Sequence, residues 1–429
     1  MIKRFKPKSE FNRNVLTLMT GASVAQAIPI AISPILTRIY TPEDFGVLAL
    51  FGAISVTFGS IANGRYELAI MLPKEDDDAI NIAALGLFIA FIFSFVLLIP
   101  AVFLNDQITR LLGNEEVGFW LYFVPFSMFM TGFYNVLNYL NTRQKSYKDI
   151  AQATIYRSLV SASFQVGLGI LKSGAAGLIS GQLASQLVAN FRLARNVQSS
   201  YQLQKITNHK MKKLAFRYKN FPLFSSWGDL ANNLSIHLVN VLVSIFYNIS
   251  TLGFLILAQK VLQFPSIIIG STLGQVFYQE ATYEKQKTGL AVKSYKSTFK
   301  KLIVVSLISF VPLYFIVEDL FVFVFGENWR LAGAYAMILI PLIAVQFISS
   351  ALSGIFNVFE KQKVVLIWQV ILLINTIGIV SASKILGWGF ESFLYIFSGC
   401  IGFQYLIYGY MSYRISMGDR FSSKRNPVD

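Results

Sequence analysis

Asp229, Asn233, His237, Asn240 and Ser244 recur at intervals of 4, 4, 3 and 4 in a largely apolar stretch. That spacing is one face of an α-helix. His changes charge near neutral pH, and a carboxylate in a wet cavity exchanges a proton or binds sodium. Asp229 and His237 are therefore candidate ion-coupling residues, and Glu67 joins them from a second stripe with Ser60 and Asn63. Cations form the complementary set. Lys260 lies about nine residues inside an apolar run, roughly 14 Å deep at the helical rise, and a charge at such depth faces a cavity or a partner. Arg65 and Arg38 stand near the ends of two other runs, where snorkelling to the surface is the competing reading. Arg and Lys supply charge-assisted hydrogen bonds to an anion, and Asn63, Asn233 and Asn240 add neutral donors and acceptors. These six residues are the candidate substrate ligands. For each amide the competing role is hydrogen bonding between helices.

Other chemistry is excluded by what the chain lacks. There is no G-x-x-x-x-G-K-[ST] phosphate loop, so ATP is not the expected driver. With Cys400 the only cysteine and two His, no disulfide within the chain and no multi-thiolate metal site can form. No cofactor is expected. Cys400 reads as packing.

The elements that must position these residues are membrane helices. Of 429 residues, 54% are hydrophobic and 14% charged, with a mean hydropathy of +0.55. Soluble domains carry about 25% charged residues, which argues against an ordinary cytosolic enzyme. Apolar runs fall at 15–39, 45–72, 79–104, 117–140, 150–171, 175–195, 224–248, 251–278, 299–325, 331–357, 363–386 and 389–413. Twelve transmembrane helices are expected. Pro29 and Pro34 predict kinks in the first run, which continues too far for a cleaved leader.

The net charge of +15 would suggest nucleic acid in a soluble protein, but its distribution points to a membrane. Assigning faces alternately puts 31 of the 37 Lys and Arg residues on one side, the count including Arg157, and 5 on the other, with Lys260 inside a run. The positive-inside rule then places both termini in the cytoplasm. Asp76, Asp77 and Asp78 read as stabilisers of a helix N-terminus. The basic segment 196–223 reads either as an amphipathic helix on the inner leaflet or as a solvated linker. It divides the chain into lobes 1–195 and 224–429, the second carrying the cytoplasmic tail.

A weak repeat supports two lobes. At an offset of 207, Tyr40, Gly46, Leu48 and Leu50 align with Tyr247, Gly253, Leu255 and Leu257, each set at the first outside turn of a six-run block. An even number of spans per block makes the repeat parallel, with a pseudo-two-fold along the membrane normal. The expected fold is an all-α membrane protein of two six-helix lobes around a central cavity, working by alternating access.

The segments Leu36-Thr37-Arg38-Ile39-Tyr40-Thr41-Pro42-Glu43-Asp44-Phe45-Gly46 and Gly64-Arg65-Tyr66-Glu67-Leu68-Ala69-Ile70-Met71-Leu72-Pro73 resemble bacterial polysaccharide-biosynthesis membrane proteins. These are the Wzx-type O-antigen and capsule flippases of the multidrug/oligosaccharidyl-lipid/polysaccharide exporter superfamily. The resemblance implies a transporter in the bacterial inner membrane, flipping undecaprenyl-pyrophosphate-linked oligosaccharide to the outer leaflet for O-antigen or lipopolysaccharide synthesis. With no phosphate loop, a gradient of Na+ or H+ is the default driver, and membrane lipids, a polysaccharide polymerase and glycosyltransferases are the expected partners. A multidrug or cation antiporter of the same superfamily is the alternative, and predicts a cavity richer in carboxylates than cations. A membrane glycosyltransferase or polymerase predicts a sizeable outside loop, and the chain has none.

Overall fold

The computed structural model describes residues 10–418, and among these there is helix but no strand. The basic segment through Lys8 and the tail at Ser422, both expected to be cytoplasmic, lie outside the described residues. Contacts divide the chain after Gly253 into two compact units.

The first unit begins with α1 (Glu10–Ala31), α2 (Ser33–Ile39), α3 (Pro42–Gly59), α4 (Tyr66–Ala69), α5 (Asp76–Phe103) and α6 (Asn105–Leu112). It continues with α7 (Glu115–Leu121), α8 (Val124–Arg143), α9 (Tyr147–Ile170), α10 (Ala175–Ser200), α11 (Asn208–Arg217) and α12 (Ser226–Phe246). The division cuts through α13 (Ile249–Leu262). Beyond it lie α14 (Ser271–Thr288), α15 (Val292–Phe325), α16 (Arg330–Leu352), α17 (Gly354–Val358), α18 (Gln362–Ile385) and α19 (Phe390–Ser416).

Every apolar run of the sequence carries helix. Among the described residues, 6 stretches are long and apolar enough to cross a membrane, or up to 8 if each of two bent pairs is one span. Three of the four remaining runs fall short for physical reasons. Gln, Asn, Ser and Arg side chains dilute α9 and α10, and α13 has only 14 residues before it is interrupted. The protein is a multi-pass membrane protein. On α5 the small residues Ala79, Ala83 and Ala90 are buried while Phe91, Phe95 and Phe103 face outward, as expected where the surroundings are lipid and close helix packing is the gain.

The first run is interrupted at Ile32, between its two prolines. Pro29 lies inside α1, which stops at Ala31, and Pro34 opens α2. Ser33 donates to the Ile30 carbonyl at 2.5 Å and Thr37 to that of Pro34 at 3.2 Å, so both hydroxyls bond backbone near the break.

The basic segment 196–223 is partly helical and docked. Thr207 caps α11 through the Lys210 N–H, and Leu214 is buried against the core that α5 shares with α8 and α10. Thr207 N–H donates to Asn81 Oδ1 at 2.9 Å, and Lys205 pairs with Asp77 at 2.9 Å. The acidic start of α5 therefore holds the linker and, through Asp76, Arg143 at 2.8 Å, besides facing the helix dipole.

The repeated windows meet each other. Ser250 donates to the Glu43 carboxylate, and these residues are themselves 207 apart. This bond holds the Glu43 carboxyl below its ordinary value. A Cβ on Gly46 would strike the Ile249 carbonyl, and one on Gly253 would strike that of Pro42. Adding 207 to Gly46 and Pro42 gives Gly253 and Ile249, so the two contacts are images of each other. Only glycine permits so close a backbone crossing. Gly46→Val is expected to cost about 1–3 kcal/mol, the usual penalty of overpacking, and to lower the melting temperature in detergent. Gly52→Val, on the same helix with open space around it, serves as the control and is expected to melt near the parent.

Candidate functional site

The site grows from a break in the helix that α3 begins. Thr41 and Asp44 form a capping box at its N-terminus, but the helix ends at Gly59 and the chain turns. Gly64 and Arg65 both take left-handed backbone, with φ of 56° and 60°. For Arg65 this costs roughly 1–2 kcal/mol, so its surroundings must hold it. Upstream, Asn63 donates to the Gly86 carbonyl of α5 at 3.1 Å. Downstream, Arg143 at the end of α8 donates to the carbonyls of Ile70, Pro73 and Lys74 at 3.1, 2.8 and 3.1 Å.

Between these anchors the Arg65 guanidinium is shared by two carboxylates. Nη1 lies 3.2 Å from Glu67 Oε1, and Nε pairs with Asp229 Oδ2 of α12. The Glu67 side chain is 1% exposed, against 23% for Arg65 and 33% for Asp229. A π-helical turn over Phe221–Ser225, containing Pro222, precedes α12 and delivers Asp229 to this position. One guanidinium and two carboxylates leave a formal charge of −1, so the cluster has capacity for one more cation. Glu67 Oε2 and Asn63 Oδ1 are also buried without a hydrogen-bond donor.

The structure thus joins residues assigned to different roles by sequence: Arg65 as a substrate ligand, Glu67 and Asp229 as ion-coupling groups. Others are placed apart. Asn233 donates to the Asp229 carbonyl at 2.9 Å and Ser244 to that of Val241 at 2.9 Å, both within α12. His237 and Asn240 are half-buried on the same helix with no hydrogen-bond or ion-pair partner among the described residues. Arg38 is exposed in the last turn of α2, where it complements the helix dipole. In the second unit, Lys260 is half-buried in the last turn of α13 and has no carboxylate partner among the described residues.

Sequence reasoning missed Arg157. Counted among the cytoplasmic basic residues, it lies within α9, seven residues past the start of the apolar run at 150, roughly 10 Å at the helical rise. Its guanidinium sits 5.6 Å over the Tyr134 ring, and no carboxylate pairs with it among the described residues. The depth count applied to Lys260 would have found it. Arg192, by contrast, is held by Asp149 at 2.5 Å and Gln152 at 2.9 Å. The amides of α10 join helices: Gln186 donates to Ser127 at 3.3 Å and Asn190 to the Met130 carbonyl at 2.9 Å.

A family model described as "Polysaccharide biosynthesis protein" matches residues 35–334. No curated protein matches the chain. Several solved structures do. A multidrug resistance MATE family transporter of the MOP superfamily, in an inward-facing conformation, aligns with a TM-score of 0.55 and 14% identity, over 93% of this chain and 94% of that one. The lipid II flippase MurJ, in an inward closed conformation, gives 0.68 and 12%, over 94% and 89%. The MATE transporter ClbM in complex with Rb+ gives 0.55 and 15%, over 96% of each chain. At these identities the likeness concerns the fold, which is MATE-like.

Proposed function

The chain belongs to the polysaccharide biosynthesis protein family, and from that premise we propose that it flips a polyprenyl-pyrophosphate-linked oligosaccharide across the bacterial inner membrane. In this reading the twelve apolar runs are twelve spans in two six-helix lobes with both termini cytoplasmic. The lobes alternate access to a substrate site built on Arg65, Lys260, Arg38, Asn63, Asn233 and Asn240. The fold shared with a lipid II flippase supports it.

The observation that carries the reading is the shared Arg65. A guanidinium between two carboxylates exchanges partners when a cation neutralises one of them. Uptake of H+ or Na+ at Asp229 or Glu67, with His237 as a further titrating group, releases Arg65 to the pyrophosphate. Loss of the cation draws Arg65 back to the carboxylates and expels the anion. Lys260 and Arg157, cations without carboxylate partners among the described residues, favour an anionic substrate over the cation of an antiporter.

The test reconstitutes the protein in vesicles and follows the leaflet of a lipid-linked oligosaccharide under an imposed ion gradient. Flipping that rises with the gradient in the parent, and loses that dependence in Asp229→Asn, is the expected result. A translocation rate equal to that of empty vesicles would overturn the assignment.

A further inference from the structure

The second unit contains a cavity of about 670 Å³ between α14, α16 and α17 and the π-helical turn Ser266–Gly270. Gln263, Gln275, Gln346, Ser350, Ser353 and Tyr278 supply most of its polar lining, and no lining residue carries a charge. We propose that this cavity is a subsite for uncharged sugars, seating the first units of the glycan next to the pyrophosphate. The proposal rests on the flippase reading above and names the part of the substrate recognised here.

The chemistry of the lining selects the ligand. A sugar ring presents hydroxyls that both donate and accept, and Gln and Ser side chains do the same. The Gln263 and Gln275 amides have no hydrogen-bond partner among the described residues. Gln346 commits Nε2 to Tyr405 Oη at 3.0 Å, which leaves its Oε1 as an acceptor toward the cavity. A carboxylate-bearing sugar meets no cation in this lining, and a desolvated charge without a partner is costly. An organic cation meets no anion there. The volume lies within the range of small-ligand pockets, roughly 300–1,000 Å³, and Tyr278 offers a ring with an apolar face and a polar tip.

The walls are set by glycine. A Cβ on Gly270 would press the Phe347 ring at 3.3 Å, one on Gly274 the Ala351 carbonyl at 3.0 Å, and one on Gly354 the Tyr278 ring at 3.2 Å. These close approaches hold α14 against α16 and α17 and leave the space beside them to a ligand. The π-helical turn departs from regular α-helical bonding, a local irregularity common at functional sites.

Register along α13 ties the cavity to the charge. Gln263 continues the helical hydrogen bonding, its N–H donating to the Gln259 carbonyl at 2.9 Å. It follows Lys260 by three residues, the spacing of neighbours on one helix face. The Cβ atoms of such neighbours are roughly 5–6 Å apart, so a phosphate at Lys260 lies close to a sugar at Gln263. That is the separation expected of groups joined by a glycosyl phosphate bond.

The test measures binding to the full-length protein in nanodiscs with three probes: undecaprenyl pyrophosphate, the same lipid carrying a trisaccharide of neutral hexoses, and one whose first sugar is a hexuronic acid. The neutral trisaccharide is expected to tighten binding over the bare lipid by roughly tenfold, the scale of one or two neutral hydrogen bonds, and the acidic glycan to give no gain. In Gln263→Leu/Gln275→Leu, with a melting curve like the parent's, the affinity for the neutral glycan lipid is expected to fall to that of the bare lipid. Retention of the gain in the double variant, or equal gains from neutral and acidic glycans, would overturn the subsite. Failure of the parent to bind any of the three lipids would instead overturn the flippase reading.

Discussion

Lys260→Ala is expected to insert into the membrane at parental levels and to fail to complement a flippase-deficient strain. Removing an alkyl ammonium that has no ion-pair partner among the described residues leaves no buried carboxylate behind, so the variant has little reason to misfold. The loss falls on the ligand. Hydrogen bonds to charged groups contribute about 1.5–3 kcal/mol, roughly tenfold to a hundredfold in affinity. Lys260→Arg keeps the charge but spreads it over a planar fork and should restore part of the function. Full complementation by Lys260→Ala at native expression would return the residue to a packing role.

Arg65→Ala is expected to fail for a different reason. Its removal strands Glu67, whose side chain is 1% exposed, and an uncompensated buried charge costs about 3–5 kcal/mol. The partly exposed Asp229 adds little to that figure, because solvent screens it. Low expression and a depressed melting temperature are therefore predicted for the single variant. Arg65→Ala/Glu67→Gln is expected to recover most of the stability without recovering flipping, since the group that changes partners is gone. Recovery of both in the double variant would show that Arg65 only neutralises Glu67.

Much of the fold was legible because lipid imposes a simple rule: long apolar runs become helix, and all twelve runs do. Breaks marked by proline were legible too, as at Pro29 and Pro34. Less visible were contacts that depend on tertiary placement. Nothing in Gly64-Arg65-Tyr66-Glu67 says that Asp229, more than 160 residues later, closes on the same guanidinium. The polar stripes misled in part. A residue type at helical spacing shows which face it occupies but not whether that face meets a cavity or a neighbouring helix, and Asn63, read as a substrate ligand, donates to the Gly86 carbonyl of α5. Arg157 was hidden by the charge count itself, because a sum over one side of the membrane does not ask how deep each member lies.

The mirrored contacts of Gly46 with Ile249 and of Gly253 with Pro42 carry a statement about ancestry. When one residue meets the image of a second, and the image of the first meets the second, the pattern is that of two identical chains across a dyad, where every favourable change is counted twice. Such an interface is the natural property of a homodimer. Its presence inside a single polypeptide is the pattern that duplication and fusion of a gene for such a dimer would leave. At the centre of the pattern Glu43 faces Ser250, its own image by the same offset of 207. Two carboxylates there would repel each other, and the pairing of an acid with a hydroxyl removes that repulsion.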